Sequence, residues 1–175
     1  MSNHIVDNLT LKRTIRRLSY EIIEKHNDMG KVVMIGIRKK GVVLSKIIRD
    51  NILSIEGVNL PLGELDITSY RDDIKTVGNG DSNKELVPFD ITDKIVIIVD
   101  DVLYTGRTIR AAMDALIDLG RPEAIELAVL VDRGHRQLPI NANYIGKNIP
   151  TSKTERVIVT LSDFNENDSI TIIKE

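Results

Sequence analysis

The chain has 175 residues and a formal net charge of −2, from 24 basic and 26 acidic side chains. This near balance excludes a global attraction to nucleic acid, so any polyanionic partner has to be held by a local patch. A hydrophobic content of 42% suits one domain over residues 1–175, and the absence of cysteine excludes disulfides, thiolate metal sites and a cysteine nucleophile. Met1 to Asp7 lacks a basic region followed by an apolar run, and no stretch reaches the ~18 apolar residues of a membrane span, so we expect a cytoplasmic protein without a membrane partner.

The first third of the chain predicts a helix, a strand, a second helix and a second strand. Apolar residues recur at helical spacing from Leu11 to Ile23, and this helix is expected to end near Gly30. The continuous apolar run Val32 to Ile37 predicts a buried strand that a basic turn closes. Helical spacing returns from Val43 to Ile48, and the next strand is predicted over Leu62 to Thr68.

The middle and the end of the chain continue this alternation. Arg71 to Pro88 is polar and rich in Gly and Asn, which predicts a mobile loop. Ile95 to Val99 predicts a central parallel strand, Thr108 to Leu119 a helix and Ala124 to Val131 another buried strand. Two shorter late strands are predicted over Val157 to Leu161 and Ile170 to Ile173. The alternation predicts an α/β fold with a central parallel sheet and helices on both faces.

Two adjacent carboxylates, Asp100 and Asp101, follow the apolar run Ile95 to Val99. Open α/β sheets bind their ligands at this carboxyl edge. Two ionised groups that leave a hydrophobic strand repel each other and lose hydration, so they need hydroxyl donors, cations or water. Ribose hydroxyls and the water shell of Mg²⁺ meet this requirement.

The residues Thr105 to Thr108 read Thr-Gly-Arg-Thr and lie just before the predicted helix. Free backbone N–H groups and the helix dipole favour a phosphate there, and Gly106 permits a close approach. No Gly-x-x-x-x-Gly-Lys-Ser/Thr motif occurs in the chain. Either half alone is more often a strand end or a helix cap, but an acidic pair and a phosphate turn at fixed offset together indicate a site for a phosphorylated sugar.

This pattern of apolar strand, acidic pair and Thr-Gly-x-Thr resembles the signature of the type I phosphoribosyltransferases. Three further stretches, Asp66 to Asp73, Val131 to Arg136 and Ile145 to Ser152, are similar to the PyrR family of pyrimidine attenuation proteins that are also uracil phosphoribosyltransferases. The likeness spans nearly the whole chain. It implies the type I phosphoribosyltransferase fold, a central parallel sheet flanked by helices with a small hood and a flexible loop.

The resemblance implies that phosphoribosyl pyrophosphate and uracil give UMP and pyrophosphate, with Mg²⁺ as cofactor on the pyrophosphate. Asp100 and Asp101 would hold the ribose hydroxyls and the waters of Mg²⁺ without ligating the metal directly. Arg71, within the loop Asp66 to Asp73 that closes over the reacting centre, is the third residue implied to be catalytic. The residues implied to bind phosphoribosyl pyrophosphate are Val96, Ile97, Ile98, Val99, Asp100, Asp101, Val102, Leu103, Tyr104, Thr105, Gly106, Arg107 and Thr108.

Two other loops receive roles from the same resemblance. The implied pyrophosphate loop is Arg38, Lys39, Lys40 and Gly41, where the family usually has Lys-Thr-Arg-Gly. Charge is kept, but Lys cannot supply the bidentate fork of Arg, and three cations on a turn could equally be a solvated surface. Asp132, Arg133 and Arg136 are implied to recognise the base in the hood, and no general-base role is assigned to His135.

The PyrR resemblance also implies binding of a stem-loop in the leader of pyrimidine-operon messenger RNA when UMP and UTP are high, and assembly into a homodimer or larger oligomer. Candidate RNA contacts are Arg16, Arg17, Lys25, Arg136, Lys147 and Lys153. With four Tyr, two Phe and no Trp, base stacking is disfavoured, so affinity would come from phosphate contacts. Tyr20 stands where the family often has His, and Asn141 where it has Arg; both departures favour weaker or absent RNA binding.

Two alternative functions remain open from the sequence. The ribose-phosphate signature does not specify the base, so the chain could be a transferase for another base such as hypoxanthine or xanthine. It could also be a paralogue that keeps the pocket as a nucleotide sensor and has lost catalysis or RNA binding.

Overall fold

The computed structural model describes residues 2–71, 82–162 and 166–175. In chain order, the elements are β1 (Ser2–Val6), α1 (Asn8–Lys25), β2 (Val32–Ile37), α2 (Lys40–Glu56), β3 (Leu62–Leu65), α3 (Ser82–Leu86), β4 (Ile95–Leu103), α4 (Arg107–Leu119), β5 (Ala124–Asp132), β6 (Tyr144–Asn148), β7 (Glu155–Thr160) and β8 (Ser169–Lys174). Short 3-10 turns occupy Met29–Lys31 and Thr68–Tyr70. Within these ranges, no helix combines the length and the apolar character that crossing a membrane requires.

The central sheet has five parallel strands in the order β3-β2-β4-β5-β6. Every residue of β2 is buried, as is β4 from Val96 to Asp100, because both strands are covered on both faces. One face packs against α1 and α2 through Leu18 and Ile48, and the other packs against α4 through Ile109 and Leu116. The expected α/β fold with a parallel sheet flanked by helices is confirmed.

The helix boundaries follow from local sequence chemistry. α1 begins after Asp7, whose carboxylate accepts the Thr10 N–H at 2.8 Å and so caps the helix. α2 ends at Gly57, whose φ of 72° is the left-handed conformation common after a helix. The sequence placed the end of the first helix near Gly30, but α1 ends at Lys25 and a 3-10 turn follows.

A second sheet of three antiparallel strands, in the order β1-β8-β7, forms the hood. It joins the two ends of the chain, and its residues Val6, Val159 and Ile170 belong to the core cluster that also contains Met34 of the central sheet. The late strands were expected from their apolar runs, but they lie in this separate sheet. β1 was not expected, because a short N-terminal segment becomes a strand only through its distant partner β8.

β6 was also missed, because its sequence Tyr-Ile-Gly-Lys-Asn has little strand character by itself. It pairs with β5 from Ala128↔Tyr144 onward. Gly146 is required at this position, since a Cβ there would strike the carbonyl oxygen of Leu130. β6 is therefore specified by its fit beside β5 rather than by intrinsic propensity.

Two strand boundaries and one loop differ from expectation. β3 ends at Leu65 rather than Thr68, because the Asp66 carboxylate accepts the N–H and hydroxyl of Thr68 at 3.1 and 2.7 Å and turns the chain. β4 extends beyond Val99 to Leu103, because β5 stays paired with it after β2 has ended. In the predicted loop 71–88, residues 82–86 form α3, and residues 72–81 lie outside the described ranges.

Candidate active site

The acidic pair lies where strand β4 has two paired neighbours on one side of the position and only one beyond it. β2 pairs with β4 as far as Gly36↔Val99, whereas β5 pairs with β4 as far as Leu103↔Asp132. The missing neighbour leaves a cleft beside the pair, with an empty volume of about 1010 Å³. The cleft is lined by Ile37, Arg38, Lys39, Asp66, Ile67, Thr68, Arg71, Asp100, Asp101, Val102 and Thr108. The fold thus gathers Arg71, the acidic pair and part of the basic turn around one space.

Asp100 is the more buried member of the acidic pair, with 8% of its surface exposed. Its Oδ1 accepts the backbone N–H of Asp101 at 2.9 Å. Burial, and then repulsion from the neighbouring Asp101, raises the pKa of Asp100 well above its usual value. In the described part of the chain, no basic side chain forms an ion pair with either carboxylate, so the pair favours an incoming cation or hydroxyl donor.

The basic turn between β2 and α2 carries the implied pyrophosphate contacts. Arg38, Lys39 and Lys40 are exposed, and Arg38 pairs with Glu64 at 3.1 Å; the Arg38–Lys39 peptide bond is cis. Gly41 is buried, and a Cβ there would collide with the carbonyl oxygen of Val99. The turn therefore packs directly against β4 beside the acidic pair, which places the cations at the mouth of the cleft.

The Thr-Gly-Arg-Thr segment forms the predicted turn at the N-terminus of α4. Gly106 precedes the helix with a φ of 93°, a conformation that glycine adopts without strain, and it offers no capping side chain. The Thr105 hydroxyl accepts the Arg107 N–H at 3.3 Å. This turn lines a second cavity, with an empty volume of about 690 Å³, made by Arg71 and residues 102–109. An anion there meets the positive end of the helix.

Residues 132–136 at the end of β5 are here called the hood loop, although they are not part of the β1-β8-β7 sheet. A third cavity, with an empty volume of about 800 Å³, is lined by Asp132, Arg133, Gly134, His135, Arg136, Asn141, Asn148, Pro150 and Thr151. Arg133 is only 7% exposed, and it donates to the Thr151 hydroxyl and to the carbonyls of Ser152 and Glu155 at 3.1, 3.2 and 2.8 Å. Its guanidinium carbon lies 4.0 Å from the ring centroid of Tyr104. Arg133 therefore joins the hood loop to residues 151–155 at the start of β7.

Arg136 joins the hood loop to the phosphate turn. Its guanidinium donates to the Asp132 carboxylate at 2.6 Å and to the carbonyls of Tyr104 and Ile140 at 2.9 and 2.7 Å. Burial works to raise the pKa of Asp132, but the hydrogen bonds from Arg136 and from the Gly134 N–H lower it overall. The side chains implied to recognise the base are thus engaged in contacts within the protein.

The candidate RNA residues are spread over several elements. Arg16 lies 5.8 Å from the ring centroid of Tyr20, and Arg17 donates to the carbonyls of Ile145 and Gly146. Lys147 follows on β6, against which α1 packs. Arg17 and Lys147 therefore belong to one region, formed by α1 and β6.

Lys25 and Lys153 lie elsewhere. Lys25 pairs with Glu126 at 2.9 Å near the start of β5, away from the edge that carries the acidic pair. Lys153 is exposed in the turn before β7, and Arg136 belongs to the hood loop. The six candidate cations therefore lie on several different elements of the structure.

Sequence reasoning missed the contacts that hold residues 66–70 beside the cleft. Asn83 is 1% exposed and bonds the backbone of Asp66, and Tyr70 bonds Asp118 of α4. Asn83 lies in a polar segment that reads as a loop, and Asp118 falls on the exposed side of a helix. The sequence carries no local signal for either contact.

The comparisons with known proteins agree with this arrangement. Residues 1–163 match the family model described as phosphoribosyl transferase domain. A protein of Enterococcus faecalis named bifunctional protein pyrR is 52% identical over 97% of this chain and 96% of its own. A protein of Lactococcus lactis named pyrimidine operon regulatory protein is 52% identical over 98% of this chain and 96% of its own.

Solved structures show the same fold at low sequence identity. A hypoxanthine phosphoribosyltransferase of Trypanosoma cruzi superposes with a TM-score of 0.74 at 17% identity, over 96% of this chain and 95% of that one. A hypoxanthine phosphoribosyltransferase of Staphylococcus aureus gives a TM-score of 0.68 at 22% identity, over 86% of this chain and 79% of that one. At these identities the likeness concerns the fold.

Proposed function

The chain belongs to the PyrR family of phosphoribosyltransferases, and we propose that it transfers the ribose-phosphate group of phosphoribosyl pyrophosphate to uracil. The products are UMP and pyrophosphate. The observation that carries the proposal is that the cavity of the acidic pair and the cavity of the phosphate turn adjoin, sharing Arg71, Val102 and Thr108. A sugar that carries a phosphate at one end and a diphosphate at the other fits both spaces at once.

In this proposal carboxylates of the chain bind the ribose hydroxyls, and hydrogen-bond donors of the chain bind the 5′-phosphate. The hydroxyls of the ribose donate to Asp100 and Asp101, which offsets the loss of hydration that raises the pKa of Asp100. The 5′-phosphate accepts backbone N–H groups at the start of α4 and the hydroxyls of Thr105 and Thr108. Both interactions orient the anomeric carbon before reaction.

The transfer breaks the bond between the anomeric carbon and a pyrophosphate oxygen and forms a bond from that carbon to N1 of uracil, whose proton leaves to solvent. Positive charge develops on the ribose ring, where the neighbouring carboxylates stabilise it. Arg38, Lys39 and Arg71 border the same cleft, and their charges stabilise the departing pyrophosphate. No covalent nucleophile of the protein is required.

Mg²⁺ is the cofactor that fits these residues. The described ranges contain no group of three or more His, Cys, Asp or Glu side chains that could hold a metal ion. The adjacent carboxylates of Asp100 and Asp101 would accept hydrogen bonds from the waters of Mg²⁺, and pyrophosphate would supply its other oxygen ligands. Held in this way, the ion would supply positive charge beside the leaving group.

The base is proposed to occupy the cavity of the hood loop after β5. Because Arg133 and Arg136 are engaged in contacts within the protein, uracil would be recognised mainly by backbone groups of residues 132–136. A backbone N–H and a carbonyl can match the alternating acceptors and donors of a pyrimidine edge. This arrangement keeps the reading edge rigid, because the two arginines fix the loop.

An assay with a panel of bases tests the transfer. The protein is incubated with phosphoribosyl pyrophosphate, Mg²⁺ and, in turn, uracil, hypoxanthine and xanthine, and we expect turnover with uracil alone. Asp101→Asn should lower kcat at least about 100-fold, while Asp114→Asn, an exposed carboxylate on α4, should keep the parent rate. Turnover of a purine without uracil would replace the base assignment, and intact UMP binding without any turnover would indicate a sensor.

The second function proposed for the chain is regulation of the pyrimidine operon, which the name of the Lactococcus lactis relative states for that protein. A stem-loop in the messenger leader would bind when UMP or UTP occupies the active site, through cations of α1 and β6 such as Arg16 and Lys147. Lys25 and Arg136, which the sequence also suggested, are engaged by Glu126 and by the hood loop. An assembly of two or more copies would enlarge the basic surface. Nascent messenger RNA lies in the cytoplasm of bacteria, where we place the protein.

Filter binding to the leader of the operon that encodes the protein tests the regulatory function. Affinity should increase with UMP, and Lys147→Gln should weaken binding and lower the slope of log affinity against log salt by about 1. Lys174→Gln, on the exposed end of β8, serves as the matched control. Affinity no better than for an unrelated hairpin would remove the regulatory function and leave the transferase assignment in place.

A further inference from the structure

The segment from Asp66 to Arg71, here called the cleft turn, includes a residue that lines both proposed substrate cavities. Arg71 lines the cavity of the acidic pair and also the cavity of the phosphate turn. An arginine that serves two sites needs its backbone placed between them, because the backbone position sets the region that the guanidinium can reach. The inference below rests on the proposed transfer reaction and identifies the residues that hold this backbone.

One end of the cleft turn is fixed by Asn83. The side-chain oxygen of Asn83 accepts the Asp66 N–H at 2.9 Å, and its amide nitrogen donates to the Asp66 carbonyl at 3.0 Å. Asn83 is 1% exposed, so this reciprocal pair is protected from competing water. The Asp66 carboxylate then accepts both donors of Thr68, and these bonds lower its pKa. The start of the turn is therefore rigid.

The other end of the cleft turn is fixed by Tyr70. The Tyr70 hydroxyl donates to the Asp118 carboxylate at 2.6 Å, a short bond of the charge-assisted kind. Hydrogen bonding to Asp118, together with partial burial, raises the pKa of Tyr70 to about 12. The phenol accordingly keeps its proton at neutral pH and remains the donor.

The partner of Tyr70 belongs to the helix that binds the phosphate. Asp118 lies in the last turn of α4, whose first turn begins at Arg107 beside the phosphate turn. The bond therefore attaches the residue next to Arg71 to the same rigid helix that presents its N-terminus to the 5′-phosphate. The relative position of Arg71 and the phosphate turn is set through one helix.

We propose that Tyr70 and Asp118 are positioning residues for the transfer reaction and act through Arg71. Neither residue lines the substrate cavities. Their hydrogen bond fixes the backbone at the end of the cleft turn, so that the guanidinium of Arg71 meets the diphosphate as charge develops on it. The bond is exposed to solvent, so its loss should affect catalysis more than folding.

Steady-state kinetics of four variants test the proposal. Tyr70→Phe and Asp118→Ala each remove the bond, and we expect kcat to fall about tenfold with KM for phosphoribosyl pyrophosphate changed less than about threefold. Asp118→Asn keeps an acceptor oxygen and should recover most of the rate. Asp114→Asn removes a neighbouring charge on the same helix, one turn earlier, without touching a hydrogen bond of Tyr70, and should match the parent.

A double-mutant cycle separates positioning from a general structural effect. If Tyr70 acts through Arg71, Tyr70→Phe should change kcat less than about twofold in an Arg71→Ala background. Full additivity of the two substitutions would overturn the proposal, as would parent-like kcat in both Tyr70→Phe and Asp118→Ala. A fall in kcat that follows loss of folded protein in thermal unfolding would also overturn it. If the parent protein has no turnover, the proposed function itself is overturned. If the parent is active and the variants keep its rate, only the positioning role is overturned.

Discussion

Two buried carboxylates on neighbouring strands, Asp100 of β4 and Glu126 of β5, have the same exposure of 8% and opposite electrostatic surroundings. Glu126 pairs with Lys25 at 2.9 Å and with His26 at 3.0 Å, and it accepts the Tyr144 hydroxyl at 2.6 Å. Burial works to raise the pKa of Glu126, but these hydrogen bonds lower it overall. The pKa of Asp100 is instead raised by burial and by its acidic neighbour.

The difference separates a carboxylate that the protein itself stabilises from one that we propose to bind substrate. Glu126 receives from the protein the donors that its charge needs, and it ties α1 to β5 and β6 near the amino end of the sheet. Among the residues that the structure describes, Asp100 receives one backbone N–H, that of Asp101, whose carboxylate it also faces at the carboxyl end. A buried charge left without a counterpart is costly, and this cost supports the proposal that the substrate supplies hydroxyls and a cation there.

The largest effect is expected from Asp100→Asn, which removes the charge at the ligand end. The amide keeps an oxygen for the Asp101 N–H, so the fold is preserved, while kcat should fall at least about 100-fold. The free energy of unfolding at neutral pH should rise by about 1 kcal/mol or more, because a desolvated charge disappears. Activity assays and urea unfolding of the same preparation check both directions. Lower stability together with parent activity would reverse the assignment of this carboxylate.

Glu126→Gln should show the opposite pattern. Removing the charge leaves Lys25 without its counterion and weakens the contact with His26, and we expect the free energy of unfolding to fall by about 2 kcal/mol, less than for a fully buried pair because Lys25 is half exposed. The transfer rate at a temperature where both proteins are folded should stay within about twofold of the parent. A large loss of kcat without loss of stability would contradict the structural role.

The pH dependence of stability should separate the two carboxylates further. Glu126 has a lowered pKa, so its contribution is present above its ordinary value of 4.5 and is lost as pH falls through the lower folded value. Asp100 has a raised pKa, so the stability it gives in its protonated form is present below 3.8 and is lost as pH rises through the folded value. Urea unfolding from acid to alkaline pH should show that the loss of stability in Glu126→Gln becomes smaller as the pH falls. The gain of stability in Asp100→Asn should become larger as the pH rises.

The smallest effect is expected from Tyr144→Phe, which removes one donor of the Glu126 cluster. Burial and the hydrogen bond to Glu126 raise the pKa of the Tyr144 phenol, so it stays protonated and donates at all ordinary pH values. Loss of this bond should lower the free energy of unfolding by about 1 kcal/mol, with Lys25 and His26 still holding the carboxylate. Thermal unfolding measures the change, and a loss as large as that of Glu126→Gln would mean that the phenol, not the cations, stabilises the charge.

The segment from Ile95 to Thr108 could be interpreted from the sequence because its chemistry is local. A buried strand, two carboxylates and a phosphate turn follow one another along the chain, and the geometry of a strand entering a helix brings them together without help from distant residues. The parallel sheet was predictable for the same reason, since continuous apolar runs report strands covered on both faces. The basic turn before α2 was predictable as the end of such a strand.

What the tertiary structure alone decided are the contacts between residues far apart in the chain. The sequence shows Lys25 as a cation on a helix and Arg136 as a cation on a loop, but packing commits the first to Glu126 and the second to the carbonyls of Tyr104 and Ile140. It also joins the two chain ends into the hood and brings Asp118 to the cleft turn. Such contacts depend on how the elements pack, because side chains many residues apart meet only after the helices and strands have been placed.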